Sequence, residues 1–107
     1  MGYVKHNSII VTDWKEERIV ILHRKAQKIF GKHARLVSNI VVSERNGYAS
    51  FFIAPDGSKE GWDVSQDMDD AREKFIKWLQ RKHPGVDYIE VRYGGDDDAA
   101  TVENSGR

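Results

Sequence analysis

LVSNIVVSERNGYASFFIA, residues 36–54, holds two runs rich in β-branched and aromatic residues on either side of Asn46-Gly47. Asn-Gly between such runs is the strongest short hairpin signal, because a tight turn there needs two residues at positive φ. A two-residue turn pairs Arg45 with Tyr48, Ser43 with Ser50 and Val41 with Phe52 on one face of the ribbon. Val42 with Phe51 and Ile40 with Ile53 then share the other. That second face is wholly apolar and is expected beneath a helical layer.

Before the hairpin, residues 8–12 (SIIVT) read as a short buried strand. Asp13 and Glu16 have capping-box spacing, so a helix is expected from Asp13. Its stripe of Ile19, Leu22, Ala26, Ile29 and Phe30 has Trp14 and Ile21 at the edge, and Gly31 stops it. After the hairpin, residues 54–66 (APDGSKEGWDVSQ) form a turn-rich connection in which Trp62 is expected to pin the loop to the body. Ser65 or Asp67 opens a second helix, with Met68, Ala71, Phe75, Trp78 and Leu79 buried and Pro84-Gly85 ending it. Residues 86–93 (VDYIEVRY) alternate as a half-exposed strand, with Ile89 and Val91 inward and Tyr88, Glu90 and Arg92 outward.

Strand, helix, strand, strand, helix, strand is the split βαβ or ferredoxin-like order. The expectation is a two-layer α+β sandwich: a four-stranded antiparallel sheet, order 4-1-3-2, with both helices on one face. One domain covers residues 1–94. Residues 95–107 (GDDDAATVENSGR) offer little to bury and read as a disordered acidic tail.

A chain of 107 residues fits a single core that needs no metal or disulfide staple. The absence of cysteine removes disulfides, thiolate metal sites and cysteine nucleophiles, and fits a reducing compartment, the cytoplasm by default. No apolar run approaches the roughly 20 residues of a membrane span, and the N-terminus lacks the build of a secretory signal. Met1-Gly2 fails as a myristoylation site because His6 stands where Ser or Thr is needed. Seventeen basic and seventeen acidic residues cancel, so no long-range field gathers nucleic acid or anionic lipid. Their distribution is uneven. Residues 18–43 carry six basic residues and no acid, whereas residues 56–73 carry seven acids against Lys59 and Arg72. On antiparallel neighbouring helices, Lys25, Lys28 and Lys32 are expected to face Asp67, Asp69, Asp70 and Glu73.

The sequence contains no serine elbow, glycine-rich phosphate loop, paired-histidine zinc helix or calcium loop, so no catalytic residue, cofactor or metal is assigned. His6, His23, His33 and His83 lack ligand spacing, and Asp67, Asp69 and Asp70 suit a helix start. His33 beside Asp56 is one conceivable acid-base pair. The uncovered sheet face is the stronger lead. It should present Tyr48, Phe52, Val41, Tyr88 and Ile10 among Arg45, Arg92, Glu90, Ser43 and Ser50. Aromatics and arginines with few other charges are what a protein contact enriches at its centre. Asp56, Lys59 and Trp62 in the connecting loop are added as contact residues. The expected function is non-enzymatic binding of a protein partner, a second copy included. The alternative is an RNA- or single-strand-binding module. Asn46-Gly47-Tyr48-Ala49 resembles the third-strand signature of the RNA-recognition motif, but Ser50 replaces the second stacking aromatic and the first strand has none.

A broader likeness rests on Asn46-Gly47-Tyr48, Ser50-Phe51-Phe52-Ile53-Ala54, the segment PDGSKEGW at residues 55–62, Arg72, Phe75, Trp78-Leu79 and the closing strand. These resemble small proteins encoded in bacteriophage genomes, a family without an assigned activity, and cover about half of the chain. The resemblance implies an accessory protein in the cytoplasm of an infected bacterium that binds a host factor. It transfers no site residue.

Overall fold

The computed structural model describes residues 5–59, 61–95 and 100–106; Met1, Gly2, Glu60 and the aspartates at 96–98 fall outside them. Five strands and two helices form a mixed α+β structure: β1 (His6–Asp13), α1 (Glu16–Phe30), a 3-10 segment (Gly31–Leu36), β2 (Val41–Val42), β3 (Ala49–Ile53), α2 (Asp63–Lys82), β4 (Asp87–Tyr93) and β5 (Thr101–Gly106). The strands make one antiparallel sheet in the order β2-β3-β1-β4-β5.

Register explains the core. Ile9 lies opposite Ile53, Val11 lies opposite both Phe51 and Tyr88, and all five side chains are buried on one sheet face. α1 covers this face through Ile19, Leu22 and Phe30, and α2 through Met68, Phe75 and Leu79. Phe51 sits between the helices, with the His23 ring edge-on at 5.2 Å and the Phe75 ring 6.4 Å away. Each fully buried aliphatic or aromatic side chain here contributes roughly 1.5–3 kcal/mol. The helical spacing at 19, 22, 26 and 30 is therefore what fastens α1 to the sheet.

Several expectations are corrected. Residues 101–106 are not a disordered tail but the fifth strand, so the sheet has five strands rather than four. β5 buries no side chain fully and is held by backbone pairing to β4 and by the Asn104 amide donating to Glu90 at 2.7 Å. Its sequence, TVENSG, offers only one apolar residue for a burial pattern to detect.

The hairpin also slips. Val41 pairs with Ser50 and Val42 with Ala49, and the Ser43 N–H donates to the Tyr48 carbonyl, which leaves residues 44–47 as a four-residue loop. The shift from the expected pairing is two residues, so every side chain of β3 keeps its face. Asn46 and Gly47 do adopt positive φ, 61° and 70°.

The expected strand at residues 36–43 is broken. Val37 bridges to Ile53 whereas Val41 pairs with Ser50, so residues 38–40 contain one extra residue, a bulge. Ser38 stabilises it: its hydroxyl accepts from the Phe52 N–H at 2.9 Å and its carbonyl lies 2.8 Å from His23 Nε2.

Asp13 does not cap α1. It belongs to β1, opposite Ala49, so the helix starts later; its buried carboxylate accepts from the Lys15 N–H at 3.1 Å and lies 3.5 Å from Arg18 Nε. Among the described residues no ion pair joins α1 to α2. Asp69 and Glu73 pair within α2 instead, with Arg72 at 2.6 Å and Lys77 at 2.7 Å, while Lys25 lies 5.5 Å from the centre of the Trp78 ring.

Candidate functional site

β4 carries the largest correction. Ile10 lies opposite both Phe52 and Ile89, and Ser8 opposite Val91, so Ile89, Val91 and Tyr93 share the uncovered face with Phe52. Tyr88, Glu90 and Arg92 point the other way, toward the helices. Tyr88 is only 7% exposed and its hydroxyl accepts from Gln80 of α2 at 2.9 Å. The expected placement was inverted for a physical reason: alternation marks the apolar positions of a strand as buried only where the other face is polar. Here the open face is itself apolar, and covered positions of β4 meet polar partners, Gln80 of α2 at Tyr88 and Asn104 of β5 at Glu90.

The open face therefore carries Val41 of β2, Phe52 of β3, Ile10 of β1, Val91 and Tyr93 of β4 and Val102 of β5. Phe52 and Ile10 are 44% and 45% exposed, as large apolar residues rarely are on a central strand pair. Beside them the bulge opens a groove of about 720 Å³, flanked by Ser38, Asn39 and Ser50 and floored by Ile10, Phe52 and Tyr93. No charged side chain lines it. Its polar groups are mostly satisfied internally: Ser8 Oγ lies 3.1 Å from the Tyr93 hydroxyl, and Thr12 Oγ1 lies 2.8 Å from Ser50 Oγ. A surface of this kind can exclude water from an apolar contact.

The contact residues expected from sequence divide into four places. Val41 and Phe52 meet at the groove. Tyr48 and Arg45, both exposed, stand at the hairpin end of β3. Asp56, Lys59 and Trp62 follow its opposite end, a strand length of roughly 17 Å away. Tyr88 and Arg92 are on the covered face. Val91, Tyr93, Val102, Ser38 and Asn39 were not anticipated; the apolar β4 positions were the available signal.

The 55–62 loop is tied down by Asp56 rather than by Trp62, which remains 53% exposed with the Lys59 ammonium 6.0 Å from its ring centre. Asp56 accepts from the Ser58 hydroxyl and backbone N–H and from Arg72 at 3.2 Å. Burial pushes the Asp56 carboxyl up, but the Ser58 and Arg72 hydrogen bonds outweigh it and hold the group below its ordinary value. An acid engaged in this way is a structural anchor for α2, and His33 is not among its partners.

A second concavity, about 490 Å³, lies between α2 and the β4-β5 edge and includes Arg72, Glu73, Lys77, Glu90, Arg92 and Asn104. Much of its charge is paired, Arg72 with Asp56 and Asp69 and Lys77 with Glu73, while Glu90 accepts a hydrogen bond from the Asn104 amide. Among the described residues no group of three His, Asp or Glu side chains could hold a metal ion, and no helix is long and apolar enough to cross a membrane. No protein-family model matches the chain, and neither a curated protein nor a solved structure matches it at a significant level.

Proposed function

We propose that this chain is a non-enzymatic binding protein on a ferredoxin-like frame, with a fifth strand added at one edge, that docks a protein partner against its open sheet face. The observation that carries the reading is the apolar groove beside Phe52, with Ile10, Val41, Val91 and Tyr93 around it and no charge in its lining. Burial of such a surface is favourable by roughly 25 cal/mol per Å². The contact set is Val41, Phe52, Ile10, Val91, Tyr93 and Val102, with Tyr48 and Arg45 at its rim.

The same observation weighs against RNA. Single-strand binders combine aromatic platforms with a basic track for the phosphates, and this groove has no Lys or Arg. A phage-type accessory role in a bacterial cytoplasm rests on the sequence likeness around residues 55–62. The test is differential capture: immobilised wild type and Phe52→Asp are compared for retention of a bacterial protein, together with filter binding of single-stranded RNA at low salt. A protein retained by wild type and lost with Phe52→Asp supports the reading; RNA retained with loss of affinity on raising salt overturns it.

A further inference from the structure

We infer that the partner of the open sheet face is a second copy of this chain, docked face to face about a two-fold axis close to Ile10. The inference rests on the reading that this face is the docking surface, and adds the identity of its occupant. A two-fold contact sets each patch against itself, so any charge near the axis meets its own like. The groove lining has none. Among the described residues, the acid that strand register places on this face is Asp87, at the far end of β4 and opposite Thr12, away from any axis through the middle of β1.

The face is also broad: Ile10, Val41, Tyr48, Phe52, Tyr93 and Val102 are each between 37% and 67% exposed and, by strand register, form one apolar surface running across all five strands. A stable interface needs a surface of that breadth, about 800 Å² from each partner. Position completes the case: β1 is the middle strand of the five, with Ile10 near its centre. Two sheets packed face to face stand about 10 Å apart, so the two Ile10 side chains meet at the axis. Shape follows too, since the bulge at residues 38–40 leaves beside Phe52 a hollow in which an apolar side chain of the other copy can lie.

The chain has no cysteine, so Ile10→Cys introduces a single thiol. A short bismaleimide, which spans the roughly 10 Å between facing sheets that a direct disulfide cannot, should convert most of Ile10→Cys to a covalent dimer, while Gln27→Cys on the exposed side of α1 stays monomeric. Sedimentation equilibrium should give a wild-type dimer whose dissociation constant rises roughly thirtyfold or more in Phe52→Asp, the change expected of an interface hot spot. Ile10→Ser serves as a milder second variant, with far-ultraviolet dichroism reporting the fold of each. A wild type that is monomeric at high micromolar concentration, with no cross-linking through Ile10→Cys, overturns self-docking. A bacterial protein retained by that monomer and lost with Phe52→Asp would leave the broader partner reading standing. A dimer indifferent to both Phe52→Asp and Ile10→Ser places the interface elsewhere and also overturns the inference.

Discussion

Gly106 of β5 lies opposite Tyr88 of β4, and a methyl group at Gly106 would stand 2.2 Å from Cε1 of the Tyr88 ring. The ring cannot retreat freely, because it is buried and its hydroxyl is held by Gln80. The last strand thus rests on a residue chosen for the absence of a side chain. Gly106→Ala should loosen β5 from β4, read as faster amide exchange across residues 101–106. The global unfolding midpoint should move little, since β5 adds no fully buried side chain. Unchanged β5 exchange in Gly106→Ala would show that the strand is not seated against Tyr88.

Adjacent residues on β3 should respond oppositely. Ile53 is fully buried between Ile9 and Val37, so Ile53→Ala should cost on the order of 2 to 5 kcal/mol in urea denaturation through transfer and cavity effects. Phe52→Ala, one position along and 44% exposed, should cost less than about 1 kcal/mol when both are measured at a dilution where the chain is monomeric. A large loss for Phe52→Ala would mean that its ring belongs to a core.

Arg72 is almost fully buried, and its two terminal nitrogens reach Asp56 and Asp69. Arg72→Ala leaves the part-buried Asp56 carboxylate without its cation and should cost about 3 kcal/mol. Arg72→Lys should recover less than half, because an ammonium cannot span both acceptors as a planar guanidinium does. Equal stability of wild type and Arg72→Lys would contradict this.

Two titrating groups set the pH response. The His83 imidazole is held below its ordinary 6.5 by burial and then by the Arg18 charge, with Asp13 opposing. Protonation is therefore harder in the folded chain, and stability should be full above about 6.5 and decline as pH falls through the lowered folded value. Asp56, held below its ordinary 3.8, contributes stability that is present above that value and lost as pH falls through its lower folded one. Urea midpoints measured from pH 8 to 3 should show the first decline in wild type and not in His83→Gln, and a second that is weaker in Asp56→Asn. Parallel wild-type and His83→Gln profiles would remove His83 from the explanation.

Much of the fold was legible in the sequence, for reasons that also mark where legibility stopped. Phe51 and Phe52 were assigned to opposite faces correctly even though the hairpin register is off by two, because a two-residue slip preserves parity. Ile19, Leu22, Ala26 and Phe30 declared α1 through their spacing. Tyr88 and Val91 were exchanged because an apolar outer face reverses the inference from polarity to exposure. β5 was invisible, since backbone pairing to an edge strand leaves no hydrophobic rhythm. The bulge at residues 38–40, which opens the groove, depends on a Ser38 hydroxyl accepting the Phe52 N–H, a contact that no local pattern announces.

Docking of a second copy on the open face is tested most directly by carbene footprinting of the wild-type chain at dilute and concentrated conditions, read residue by residue. Labelling of Ile10, Phe52 and Tyr93 should fall severalfold on concentration, while Val20 and Ile21, exposed on α1 in the other layer, stay constant. Equal labelling of Ile10, Phe52 and Tyr93 at both concentrations, or protection that appears at Val20 and Ile21 instead, would contradict a docking surface closed by a second copy.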